Sequence, residues 1–207
     1  MSVVGGTSTT GLVTRVQNMI MKPAAEWDVV AAEPATVSGL FTGYAMIVAA
    51  IPAVATLIGR LLFFHSLVGG VIWAVLSYVL TLVGVYVVAL IVDALASSFD
   101  GERNQVQALK LVIYGSTAVW VAGIGNIVPF IGWLLVLAGG IYTLYTIYIG
   151  LPKVMKNPPD KTLGYFAVII VSEIVLYWLI AMVTALIVGM FAITAIATGA
   201  AAAGAFH

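Results

Sequence analysis

The 207 residues carry eight Lys or Arg and eight Asp or Glu, so the formal charge is zero; 63% are hydrophobic and 8% charged, far from the roughly 25% charge of a soluble domain. That balance excludes a soluble globular domain and predicts an all-α polytopic membrane helix bundle, with no net field to recruit nucleic acid or acidic substrates. The chain has no cysteine, which removes disulfides, thiolate chemistry and cysteine metal sites.

Residues 1–37 form the segment ahead of the first span. A capping run of Ser8, Thr9 and Thr10 precedes Leu12, Val13, Val16, Met19 and Ile20, apolar at helical spacing, with Thr14, Arg15, Gln17 and Asn18 opposite. This predicts an amphipathic helix lying on the cytoplasmic membrane surface. Pro23 ends it and starts the next turn, and Trp27 is expected at headgroup depth. The first apolar run begins near Gly39 and is too long for a signal-peptide core, so the first span is expected to direct insertion.

Charges are missing between Glu33 and Arg60, between Arg60 and Asp93, between Lys110 and Lys153, and between Glu173 and the chain end. A bilayer core about 30 Å thick needs about 20 helical residues, and the gaps accommodate five spans at about 38–60, 67–92, 110–125, 130–151 and 163–188, within a transmembrane region 38–203. Ser38 is the expected cap of the first. GIGNIVPF supplies the turn between the third and fourth, with Asn126 capping it. Leu163 to Ala203 is read as one long helix because no proline interrupts it, with a sixth span as the alternative. Five spans place Arg15, Lys22, Arg103, Lys110, Lys153, Lys156 and Lys161 on one side and Arg60 alone on the other. By the positive-inside rule the N-terminus is cytoplasmic and the C-terminus opposite.

Small residues at Gly70, Ala74, Ser77, Thr81 and Gly84, and again at Gly132, Gly139, Thr143, Thr146 and Gly150, predict close helix packing, to which Gly39 and Gly43 add a GxxxG pair. Tyr142, Tyr145 and Tyr148 read as interfacial anchors and interhelical hydrogen-bond donors, with a stacking platform as the other reading. Glu173 falls close to the bilayer midplane, where an unpaired charge is costly. It is expected to turn into the bundle on the face of Tyr177, Ala181 and Thr184. Three roles stay open: a hydrogen-bond partner of the second and fourth spans, a protonatable site for coupled transport, or an oligomer contact. Glu173, Tyr177, Thr143 and Thr146 form the candidate intramembrane polar site. Asp93 is expected to pair with Lys110, and His65 to mark a loop at the membrane edge.

Nucleotide-binding glycine loops, zincin pairs and nucleophile elbows are missing from the sequence, and His65 and His207 are its imidazoles. No enzyme activity, cofactor or metal is expected. The lipid bilayer is the expected partner, with homo- or hetero-oligomers of membrane proteins open and nucleic acid excluded.

KPAAEWDVVAAE ahead of the first span, a turn glycine between spans two and three, then YGSTAVW, IVPFIG and YTLYTIYIGLP before a short basic loop together resemble the Yip domain family of Ypt/Rab-interacting membrane proteins, over roughly residues 18–185. Pro23, Trp27 and Glu33, and then Pro129, Gly132, Tyr142, Tyr145, Gly150 and Leu151, fall in the family's order. Ala118 stands where many relatives have proline, which implies a straighter third span. The resemblance implies five spans and a cytoplasmic N-terminus. Eukaryotic relatives are associated with small GTPases, vesicle trafficking and hetero-oligomers. The short lead-in here looks like the prokaryotic members, whose role is largely uncharacterised. The leading expectation is a non-enzymatic membrane-organising scaffold or adaptor; the alternative is a small transporter or channel using Glu173.

Overall fold

The computed structural model describes residues 9–65 and 67–204; Ser8 and His207 lie outside them. Helix α1 (Thr9–Met21) and α2 (Pro23–Ala32) precede five long helices: α3 (Val37–Phe64), α4 (Leu67–Leu95), α5 (Gln105–Ile127), α6 (Pro129–Met155) and α7 (Pro159–Gly204). All five are long and apolar enough to cross a bilayer, matching the five spans that the uncharged gaps accommodate. α7 runs through Gly189 without a break, so the ambiguous last segment is one continuous helix.

Local chemistry explains the ends. Pro23 and Pro129 occupy the first turns of α2 and α6, where a missing N–H costs nothing. α3 starts earlier than its expected cap at Ser38: the Thr36 hydroxyl accepts from the Gly39 amide. Asn104 caps α5 through the amides of Val106 and Gln107. The turn between α5 and α6 is closed by the backbone, Val128 N–H to Gly125 carbonyl at 2.9 Å. It is not capped by Asn126, whose side chain makes no hydrogen bond among the described residues. His65, Asp100 and Lys156 are left-handed residues just past helix ends.

α5 is the axis of the bundle. Residues Ala108 to Gly115 are all buried, because α3, α4 and α6 pack around this stretch, while α1 lies against Thr117–Ala122 just beyond it. The helix is not continuous. It is interrupted at Ser116, whose hydroxyl donates to the Val112 carbonyl, while Thr117 donates to Tyr114. The interruption arises without a proline, two residues before Ala118, and the Ser116 amide keeps its own bond to the Val112 carbonyl across it.

The small stripe of α6 closes this break. Thr143 accepts from the Val119 amide at 3.2 Å, and Thr146 donates to the Gly115 carbonyl at 3.1 Å. Those are the donor and acceptor that an uninterrupted helix pairs with each other. Gly132 lies against Gly125, and a Cβ on Gly139 would sit 2.9 Å from the Ala118 carbonyl oxygen and 3.1 Å from Val119 Cα. The stripe on α4 is shared. Gly70 meets Leu57 and Arg60 of α3, and Gly84 meets Leu176 and Ile180 of α7. Gly39 has no such role: it is exposed, and its near neighbour is the Thr36 cap. Gly43 lies in a π-helical turn, Phe41–Ala45.

Gly139→Ala is expected to destabilise the bundle by about 1–3 kcal/mol through overpacking, read as a lower thermal midpoint in detergent. Gly140→Ala, beside open space, is expected to leave the midpoint unchanged or raise it.

Candidate functional site: the N-terminal clasp

α1 and α2 fold onto α5 and α6 as a polar and aromatic clasp. The amphipathic helix expected around Leu12 to Ile20 is present, and its apolar stripe is turned onto the bundle. Met19 is buried and Leu12 and Val16 pack on the core, while Val13 and Met21 face outward. Trp27, expected among headgroups, is instead fully buried at 0% exposure, and its indole N–H donates to the Thr146 carbonyl at 2.8 Å. Gly150 makes room for it: a Cβ there would come within 2.7 Å of the indole ring. The Tyr142 hydroxyl donates to the Ile20 carbonyl, an orphan acceptor at the end of α1. Lys153 reaches the Ala24 carbonyl and the Asp28 carboxylate.

Charges complete the clasp. One Arg15 nitrogen donates to Glu26 and the other to Glu33, each at 2.5 Å, and its guanidinium lies 5.4 Å from the Tyr114 ring centroid. Partial burial works against the Arg15 charge. The surrounding groups, Glu33 foremost, outweigh it and hold the guanidinium above its ordinary pKa. Lys110 is 2% exposed and donates to the carbonyls of Val30 and Glu33. These are acceptors at the C-terminal end of α2, where a cation also meets the negative end of the helix dipole. Below them Tyr114 stacks edge-on against Tyr44, ring centroids 4.7 Å apart. Thr117 gives its proton to the Tyr114 carbonyl, so the Tyr44 hydroxyl is the donor in its 2.8 Å bond to Thr117.

Lys110 therefore does not pair with Asp93. Asp93 faces Arg103 at 3.5 Å, and its second oxygen is buried without a partner among the described residues.

The four candidate polar residues do not converge. Thr143 and Thr146 serve the α5–α6 contact, and Tyr177 is 71% exposed on the outer face of α7. Glu173 is half-buried on the stripe that runs through Tyr165, Ile169, Leu176, Ile180 and Thr184. The stripe is partly covered at Glu173, whose carboxylate has no hydrogen-bond partner among the described residues. Of the three tyrosines, Tyr142 binds α1, Tyr148 packs edge-on against Phe166, and Tyr145 is half-exposed beside Tyr142.

The sequence reading did not single out Arg15, Glu26 and Glu33 as a unit. The available signal was the spacing of Glu26 and Glu33, seven residues apart and so near one helical face, beside a lone Lys110 opening an apolar run.

The fold and clasp define a polytopic helix bundle whose amino-terminal helices are docked on its third and fourth spans. The chain belongs to the Yip1 domain family, which it matches over residues 18–182. It is also similar to the inner membrane protein YohC of Escherichia coli strain K12 and to that of strain O6:H1 CFT073. Each is 25% identical over 165 residues, covering 73% of this chain and 84% of the relative. No solved structure matches it.

Since the natural chain lacks cysteine, single probes report the clasp directly. Val30→Cys, at a fully buried position, is expected to resist a water-soluble maleimide, while Val29→Cys, at a half-exposed one, labels readily. Adding Arg15→Ala leaves Glu26 and Glu33 uncompensated and is expected to raise Val30→Cys labelling at least about tenfold, equivalent to about 1.4 kcal/mol of opening free energy. Lys156→Ala, at a solvent-exposed ion pair, is expected to leave it unchanged.

Proposed function

We propose that this chain is a non-enzymatic organising bundle of a prokaryotic inner membrane, with its N-terminus and clasp in the cytoplasm, acting as a scaffold or adaptor for other membrane proteins. The observation that carries the reading is how the polar groups on and against α5 and α6 are used. Thr143, Thr146, Thr117, Tyr44 and the Trp27 indole are each bonded to neighbouring helices, so these buried polar groups serve packing. Orientation is supported by the seven cations on the clasp side against Arg60 on the other, and the choice of membrane by the relatives' designation as inner membrane proteins. Exposed loop charges at Lys156, Glu102, Lys161 and Asp100 give partners a polar surface beside the clasp.

A transport reading has one observation in its favour: the half-buried, unbonded Glu173. In proteoliposomes, wild-type protein and Glu173→Gln are expected to show the same proton and solute leak as each other and as empty vesicles. Flux that depends on Glu173 would replace the scaffold with a carrier. Crosslinking in native membranes is expected to recover a membrane-protein partner or a second copy; monomer alone would refute the adaptor role.

A further inference from the structure

At the end of the bundle remote from the clasp, Thr56, Arg60 and Phe64 of α3 and Asn126 of the α5–α6 turn line a half-open notch of about 440 Å³. Close packing builds it. A Cβ on Gly59 would run into the Asn126 carbonyl oxygen and lie 2.9 Å from that of Ile127, so the glycine brings the end of α3 directly against the turn. The Arg60 stem passes over Gly70, 3.5 Å from where a Cβ would sit, and its guanidinium lies 4.9 Å from the Trp73 ring centroid.

Arg60 is held in place yet has no carboxylate partner among the described residues. Every Asp and Glu except Glu173 lies in or just after α2, in the α4–α5 connection, or in the clasp-end turns of α4 (Asp93) and α7 (Asp160). The cation thus stands in a region without fixed negative charge. Asn126 adds an amide with both protons unused, whereas the Thr56 proton goes to the Pro52 carbonyl, leaving Arg60 and Asn126 as the donors. Arg60 sits one turn from the end of α3 at Phe64, the depth at which a span meets headgroups. Phe63, Phe64 and Phe130 form an exposed apolar rim beside it.

We infer that this notch binds a phosphate-bearing anion, the phosphodiester of an anionic phospholipid in the leaflet opposite the clasp. The planar guanidinium fork and the amide grip phosphate oxygens, and the phenylalanine rim lies along the acyl chains. Free inorganic phosphate is the other source of the same chemistry.

The full chain is reconstituted in nanodiscs of mixed phosphatidylglycerol and phosphatidylethanolamine, and co-purifying lipid is counted by native mass spectrometry. Selective retention of phosphatidylglycerol is expected, falling about tenfold in Arg60→Gln, the loss of a charged hydrogen-bonded contact, and by a smaller factor in Asn126→Ala. Arg60→Lys is expected to keep part of it, and Lys22→Gln, a clasp-side cation, all of it. Equal retention by wild type and both notch variants, or loss in Lys22→Gln instead, overturns the site. Arg60-dependent binding of inorganic phosphate in lipid-free detergent without phosphatidylglycerol retention overturns the lipid assignment. Should Arg60→Gln fail to fold, Asn126→Ala alone decides, and unchanged selectivity there refutes the notch.

Discussion

A helix broken inside a membrane bundle must satisfy its freed backbone groups from a neighbour, because lipid offers none. Here that demand falls on α5 at Ser116, and Thr143 and Thr146 of α6 meet it by taking the Val119 amide and the Gly115 carbonyl. The pairing works only at short range, which the glycines on the same face of α6 provide. α5 and α6 therefore behave as one rigid hairpin. The features of interest are built on its two ends: Trp27 seats against Gly150 at one, and Gly59 seats against the turn at the other.

The clasp follows from burying charge economically. Arg15 and Lys110 carry two positive charges, and Glu26 and Glu33 two negative ones, so the set is neutral as a whole. Lys110 is not matched to a carboxylate but to carbonyls ending α2, while the carboxylates are left for Arg15. Removing one member breaks this balance far more than replacing the set by apolar residues would. That asymmetry makes the network better at fixing where the amino-terminal helices lie than at adding raw stability.

Much of the fold was legible because the constraint behind it is simple. Uncharged gaps of span length and a lopsided distribution of Lys and Arg gave five crossings, and the small stripes on α4 and α6 were visible as spacing. What spacing cannot tell is which neighbour a face meets. Trp27 reads the same whether it lies among headgroups or on Gly150, and an apolar stripe around Met19 reads the same against lipid or protein. Pairing Asp93 with Lys110 matches sign alone, which overlooks Arg103, nearer to Asp93 in sequence, and the α2 carbonyls some eighty residues upstream of Lys110. Glu173 was placed on its inward face by helical periodicity, but Tyr177, four residues on, falls beyond the curve of that face.

The length of α7 sets it apart from its neighbours. Forty-six residues make a rod of about 69 Å, more than twice a hydrocarbon core of about 30 Å, and beyond Glu173 it carries no Asp, Glu, Lys or Arg. Tilting or lengthening the part of the rod beyond Glu173 within the bilayer brings in no further charge, and mismatch itself costs only fractions of a kcal/mol per Å. Bilayers of different thickness can therefore be accommodated by this one helix, leaving the vertical position of the molecule to the residues bracketing the other four.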